Sequence, residues 1–366
     1  MMRPWPSNTL ALYQARMFAI RIVAFAFVLV GILQMLDLLS ESEKILAVSG
    51  NGNAELWQYV QLRAPQLVDT FLPFSVLLGA LVTWASLSTS SEIVIMKGAG
   101  LSPHKILLPM MATALLVSVA HFVFSETVLP QTNARLDAWQ GADYGVLPAD
   151  PGTARFDEWQ IGDSDILFAE QVEGAGADMV LTGVTVYRRS ANGADLVAIA
   201  NGPRAVPVAD GWQLDDTRSF NVAAAQIEEI GPMIVGRGIA PARYTVETPD
   251  PDESTTSELA AAIERLEAAG RPTDALHTAF MHKFSAPLSA LLMPLLGAVA
   301  GFGLARSGQL FKRTVIGLVL GFAYFVADNA MLAMGQFGAA PPILAAWGPF
   351  LMFFLVGEAV LFRTEE

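Results

Sequence analysis

The chain of 366 residues has no cysteine. That excludes a disulfide scaffold, thiolate metal sites and a cysteine nucleophile, and it leaves the compartment open. Charge is scarce: 16% of residues are Asp, Glu, Lys or Arg, against about 25% in average soluble domains. Neither HExxH nor GxSxG occurs, nor does the phosphate-binding pattern GxxxxGK[ST]. Gly98-Ala99-Gly100 with Lys105 has neither the spacing nor the Ser/Thr of that pattern. The four histidines are His104, His121, His277 and His282. The last two are five apart, a spacing that aligns poorly on one helix face and argues against a metal pair. A basic patch of the kind nucleic acids require is also missing. The sequence therefore predicts no catalytic residue, no metal and no cofactor of the chain's own.

What the chain has is hydrophobicity. Apolar residues make up 53% and the mean hydropathy is +0.44, which points to an integral membrane protein. The formal charge of −13 is unevenly placed. Residues Asp137 to Asp274 carry 24 Asp/Glu against 9 Lys/Arg, while the remainder carries 11 against 13. An acidic insert sits in a weakly basic, hydrophobic frame. A hydrocarbon core of about 30 Å needs about 20 apolar helical residues. Six runs approach that length: Phe18–Leu36, Leu67–Leu87, Ile106–Phe124, Phe284–Leu304, Thr314–Met334 and Ile343–Phe362. The first is longer than the apolar core of a signal peptide, about 7–15 residues, and is read as a retained span. Gly297-x-x-x-Gly301 and Gly317-x-x-x-Gly321 predict close helix packing and nothing more specific.

Orientation follows from Lys and Arg in short loops. Arg3, Arg16, Lys97, Lys105, Arg306, Lys312, Arg313 and Arg363 fall on one side, so both termini are expected in the cytoplasm. The insert, residues 128–283, is then external. It contains β-like runs at Asp165–Val172, Met179–Tyr187, Leu196–Ala200, Trp212–Val222 and Arg243–Glu247. Val180, Thr182, Val184 and Val186 are expected on one strand face. Gly174-Ala-Gly176, Asn192-Gly193, Asn201-Gly202-Pro203 and Asp210-Gly211 are expected as turns. A helix closes the insert at 257–269: Thr255 and Glu258 form a capping box, with Leu259, Ile263 and Leu266 as its apolar stripe. It is either a spacer or an element that carries motion into the membrane.

Between the second and third runs lies Ser90–Lys105, SSEIVIMKGAGLSPHK. Its polar residues exclude it from hydrocarbon, and it either links two spans or is gripped by a cytoplasmic partner. Ionisable residues within spans each cost at least about 2.5–3.5 kcal/mol at mid-bilayer. Asp328 is the deepest, serving packing and a polar cavity or touching substrate. Asp69, His121 and Glu358 lie nearer the interfaces, where snorkelling or hydration accounts for them.

Several stretches resemble the lipopolysaccharide export permease family of the LptF/LptG type. They are Leu72-Pro73-Phe74-Ser75-Val76-Leu77-Leu78-Gly79, Ser91 to Ser102 (SEIVIMKGAGLS), Val128-Leu-Pro130-Gln131 and Lys283-Phe-Ser285-Ala286-Pro287-Leu288. Gly321 to Asp328 and Gly338 to Ile343 look more like the LptG-type branch. The resemblance covers the hydrophobic frame almost end to end and implies six transmembrane helices in two halves, 1–127 and 284–366. A jellyroll-like all-β periplasmic domain, 128–283, lies between helices 3 and 4.

The resemblance also implies a role, that of an inner-membrane permease subunit of an ABC transporter that extracts lipopolysaccharide. Its partners would be an LptF-type second permease, an LptB-type cytoplasmic ATPase dimer that uses ATP and Mg, an LptC-type membrane subunit and an LptA-type periplasmic bridge. The coupling segment, 90–105, would meet the ATPase through Ser91, Glu92, Ile93, Ile95, Met96, Lys97, Gly98 and Gly100, with Glu92 hydrogen bonding and Ile93, Ile95 and Met96 supplying buried area. Gln34, Asp37, Lys44, Arg63 and Asp328 would line the substrate cavity or its gate. Some family members carry lysines at the outer end of the first span, suited to lipid A phosphates. This chain has Asp37, Glu41 and Glu43 around one Lys44 there. Three compensations stay open: Lys44 with Arg63, a less phosphorylated substrate, or bridging divalent cations. The competing function is a non-transporting scaffold or receptor whose external domain binds an envelope protein.

Overall fold

The computed structural model describes residues 7–145, 155–162, 164–174, 176–190, 195–209, 211–239, 249–268, 271–301 and 310–363. The contacts divide the chain into two units. One is helical, comprising residues up to Ser40, Trp57–Thr132 and from Pro249 onward. The other comprises Glu41–Leu56 and Asn133–Thr248.

Nine helices are described. They are α1 (Asn8–Ala47), α2 (Asn53–Thr89), α3 (Glu92–Gly98), α4 (Pro103–Thr127), α5 (Leu129–Gly141), α6 (Thr256–Ala268), α7 (Asp274–Gly301), α8 (Leu310–Gln336) and α9 (Pro342–Arg363). Six of them, α1, α2, α4, α7, α8 and α9, are long and apolar enough to cross a membrane; five contain one of the expected runs whole, and α7 contains the described part of the fourth, whose residues 302–304 lie outside the described residues. α5 has no counterpart in the sequence expectations. Its mean hydropathy pattern is weak because only Leu129, Leu136, Ala138 and Trp139 are buried apolar positions in it.

α2 is the axis of the helical unit. Val76, Leu77, Ala80, Leu81, Trp84 and Leu87 are all buried, in one cluster with Phe18 and Ile22 of α1, Met110 of α4, Leu295 and Leu296 of α7 and Tyr324 of α8. Small residues permit this. A Cβ on Gly79 would stand 3.2 Å from the backbone nitrogen of Ile22, so α1 and α2 meet backbone to backbone. Gly317 and Gly321 of α8 lie directly under Leu81 and Leu77, the close approach that their spacing predicts.

In the other unit six strands form one antiparallel sheet in chain order: β1 (Arg155–Ile161), β2 (Asp165–Glu173), β3 (Val180–Arg189), β4 (Leu196–Val208), β5 (Gly211–Asn221) and β6 (Gln226–Val235). β1 and β6 were not anticipated, and Arg243–Glu247 lies outside the described residues. The ladder pairing breaks along a line through Asp157, Glu170, Gly183, Pro203 and Asp216, and between β5 and β6 the register shifts where Gly231 meets Thr217. Asp157, Gly183, Asp216 and Gly231 have φ of 56, 62, 45 and 74°, a region open chiefly to Gly, Asn and Asp.

At this crease the buried positions step by three instead of two: Ala169 to Val172, Leu181 to Val184, Gly202 to Ala205 and Leu214 to Thr217. Strand side chains alternate between faces, so a three-residue step returns both halves to the same interior, and the sheet bends over a single core. This corrects two expectations. Leu181, not Thr182, joins Val184 and Val186 inside, because Gly183 resets the alternation. Asn201-Gly202-Pro203 is no turn but the interior of β4, with Pro203 at the unpaired crease position where no ladder N–H is needed.

Buried Asp165 helps pin the two halves, accepting from Gly236 N–H at 2.9 Å and lying 3.6 Å from Arg188. Trp212, fully buried, donates its indole N–H to the Ile239 carbonyl at 2.8 Å.

Candidate functional site

The segment between α2 and α4 is built as a short helix held from three sides. Ser91 enters α3 at φ 60° and Gly100 leaves it at φ 82°, two left-handed residues that turn the chain sharply at each end. Ala99 and Leu101 N–H groups bond back to the Ile95 and Met96 carbonyls, closing the helix. Ser102 then caps α4, with Pro103 at its first position.

Ile93 and Met96 are buried in the α2–α4 core, whereas Val94 and Ile95 are 55% and 68% exposed. Of Ile93, Ile95 and Met96, all expected to offer area to a partner, Ile95 faces outward while Ile93 and Met96 face the chain's own core, since positions three apart in a seven-residue helix share a face. The outward surface is Val94, Ile95, Gly98, Ala99 and Gly100, flanked by half-buried Glu92 and Lys97.

Glu92 is also engaged. Its Oε1 accepts from Ser90 Oγ at 2.8 Å and from the Tyr13 hydroxyl at 3.3 Å. Gln14, fully buried, donates from Nε2 to Met96 Sδ at 3.4 Å. On the other side His104 meets Glu358 of α9 at 3.1 Å and its ring packs on Phe362. Glu358 is therefore paired across helices, rather than merely hydrated.

The proposed gate residues separate. Asp37 accepts from the Tyr59 hydroxyl at 2.6 Å and from Arg63 at 3.1 and 3.4 Å, so this acid and this base neutralise each other between α1 and α2. Lys44 belongs to the other unit, where it pairs with Glu41 at 3.0 Å. Gln34 is buried, with both side-chain amide atoms lacking a hydrogen-bond partner. Asp328 is not in this group. It lies 3.1 Å from His282 of α7, and the nearby Tyr324 hydroxyl is buried.

Asp69 and His121 also form a pair, at 2.7 Å between α2 and α4. Sequence reasoning took these residues singly. The signal for pairing was chemical: ionisable groups within a bilayer pair with one another, and His121 is the one basic group among the span residues Asp69, His121, Asp328 and Glu358.

The helix α6 closes a further joint. Glu126, at the end of α4, accepts from the Thr256 N–H at 2.9 Å and from the Thr256 hydroxyl, and lies 3.8 Å from Lys283 Nζ of α7. Thr255 and Glu258 form the reciprocal capping box. The backbone and side-chain bonds from Thr255 hold the Glu258 carboxyl below its usual range. Burial, and then the neighbouring Asp250, push the Asp252 carboxyl up. Leu259, Ile263 and Leu266 pack on Leu276 and Phe280 of α7. α6 is thus fixed to the helical unit by its N-terminus and by its apolar face.

Six apolar helices, a β unit between the third and fourth of them, and a clamped helix in the second connection define a multi-pass membrane protein of permease type. The sequence model of the lipopolysaccharide export system permease LptF/LptG family matches residues 12–363, and the chain belongs to that family. It is similar to lipopolysaccharide export system permease protein LptG of Escherichia coli strain K12, 25% identical over 98% of this chain and 99% of the relative. The LptG protein of Haemophilus influenzae is 26% identical, with the same coverage of both chains. Membership places the chain in the inner membrane as a multi-pass protein.

Proposed function

We propose that the chain is the LptG-type permease subunit of an ABC transporter that lifts lipopolysaccharide out of the inner membrane and passes it towards the outer membrane. Its termini lie in the cytoplasm and its β unit in the periplasm. It pairs with an LptF-type permease over a cytoplasmic ATPase dimer of LptB type, and an LptC-type subunit and an LptA-type bridge receive the lipid. The observation that carries this reading is α3, whose apolar face is anchored in the core while Val94 and Ile95 stand outward next to Glu92. A chain with no phosphate-binding loop needs an external motor for active export, and a short anchored helix with an apolar outer face suits a groove on one.

The spans α1 and α8 support the second half of the reading. Only 11% and 22% of their apolar windows are buried in this chain, which leaves their faces for lipid and for the paired permease.

Capture of the ATPase by tagged chain from membranes tests the proposal. Ile95→Asp places a charge in the contact and abolishes capture, and Glu92→Ala weakens it. A chain that inserts normally, never brings down an ATPase, and whose depletion leaves lipopolysaccharide delivery intact is instead a scaffold or receptor.

A further inference from the structure

Two residues outside the α2–α4 connection hold α3 in place, and both come from the beginning of α1. Tyr13 bonds Glu92 at 3.3 Å, and the buried Gln14 amide reaches Met96 at 3.4 Å. Around them Leu10, Met17 and Leu101 pack on the cluster that contains Phe18, Ile93 and Met96. About two turns further on, Arg21 donates to the Val82 carbonyl of α2 at 3.0 Å, and Ile22 lies against Gly79.

Beyond Ile22 the character of α1 changes. Val23, Phe27, Ile32, Met35 and Leu36 are exposed, and the next polar tie within the helical unit is Asp37 with Tyr59 and Arg63. α1 has no proline inside its 40 residues, a length of about 60 Å at 1.5 Å per residue. Kinks need a proline, a Gly/Ser pair or an inserted group. The helix is therefore a continuous rod, gripped at one end by the coupling segment and bare along its middle.

We infer that Gln14 and Tyr13 are positioning residues that hand the movement of α3 to α1. Gln14–Met96 is the lasting joint and Tyr13–Glu92 is the releasable one. The inference rests on reading α3 as the ATPase grip. A carboxylate bonded to two neutral hydroxyls forms a stronger bond with an ionised donor, so a basic group on the ATPase displaces Tyr13 from Glu92. Gln14 has no such exchange. It is enclosed, and withdrawing it from Met96 strands a buried amide, so α1 follows when α3 is pushed.

The absence of cysteine makes the test clean. The assembled transporter in proteoliposomes is assayed for lipid released per ATP hydrolysed and for ATPase affinity, with the unaltered chain alongside. Gln14→Cys with Met96→Cys, bridged by a short thiol-reactive linker, is expected to keep release per ATP within about twofold of the unbridged protein, because the joint does not open. Gln14→Ala is expected to lower release per ATP by about two- to tenfold, the range for one hydrogen bond, without loss of ATPase capture. Tyr13→Phe frees Glu92 and is expected to tighten ATPase binding by a similar factor.

Loss of release on bridging, with ATP hydrolysis continuing, overturns the joint, and so does an unchanged ratio in Gln14→Ala. Should Gln14→Ala fail to assemble, the double-cysteine protein before and after bridging decides alone. Unchanged or weaker ATPase binding by Tyr13→Phe overturns the release step. If the unaltered chain captures no ATPase, the reading of α3 itself has failed, a result separate from all of these.

Discussion

Removing the carboxylate of Glu126 measures how firmly α6 is tied to the spans. This one side chain accepts the Thr256 N–H and hydroxyl, and it faces Lys283, whose side chain is only 15% exposed. Hydrogen bonds to a charged group contribute about 1.5–3 kcal/mol, and stripping the partner from a buried ion costs about 3–5 kcal/mol. The 3.8 Å separation from Lys283 exceeds direct hydrogen-bond length, so only part of the second figure applies. Glu126→Ala should therefore destabilise the α6 clasp by about 3 kcal/mol. Glu126→Gln keeps an acceptor for Thr256 and loses the charge, for about 1–2 kcal/mol.

Each 1.4 kcal/mol is a factor of ten. Hydrogen exchange of the α6 amides should thus accelerate about a hundredfold in the alanine variant and about tenfold in the glutamine variant. Equal exchange in the two variants, or no change in α6 with either, would refute the reasoning.

Three further outcomes follow from other contacts. Glu258 has a depressed carboxyl pKa in the folded chain, so its contribution is complete above the unfolded value, about 4.3, and is lost as pH falls through the folded one. The protection of the α6 amides, relative to their intrinsic exchange rate at each pH, should fall on acidification in the unaltered chain and show a flatter pH dependence in Glu258→Gln; matching profiles would contradict this. At Gly202 a Cβ would sit 2.5 Å from the Asp215 carbonyl oxygen, and Gly202→Ala should cost about 1–3 kcal/mol by overpacking, read from denaturant unfolding of the β unit. Trp84 is fully buried and donates to the Pro294 carbonyl at 3.1 Å. Trp84→Phe should lower the thermal midpoint of the helical unit, with a loss of about 1–3 kcal/mol from the missing bond and volume.

The spans were legible because hydrocarbon selects for a single property over a known length, and every expected run lies inside a helix over its described residues. The α6 cap was legible for a similar reason: Thr255 and Glu258 are neighbours in sequence and need no tertiary information. The crease was not, because its meaning lies in alignment across strands. Gly183 alone reads as a weak point in β3, and Pro203 as a turn. Only pairing reveals that Asp157, Glu170, Gly183, Pro203 and Asp216 stand in one row.

The segment 90–105 stood out by composition, but which of its faces turns inward did not. A seven-residue helix carries too little periodicity to say whether Ile93 and Met96 or Val94 and Ile95 point inward. Tyr13 and Gln14 gave no sign at all, since a polar pair at the start of a span looks like an ordinary interface residue set. The His–carboxylate pairs required contacts across 46 and 52 residues, which one sequence does not supply.

In the proposed function this permease moves lipopolysaccharide at the expense of a partner's ATP. Photocrosslinkers placed at exposed positions of α1 and α8, such as Phe27 and Val319, in the assembled complex test it directly. The account predicts that lipopolysaccharide is captured before ATP is added and that ATP, but not a non-hydrolysable analogue over many turnovers, clears it from these positions. Capture of bulk phospholipid alone, or lipopolysaccharide capture indifferent to ATP, would contradict it.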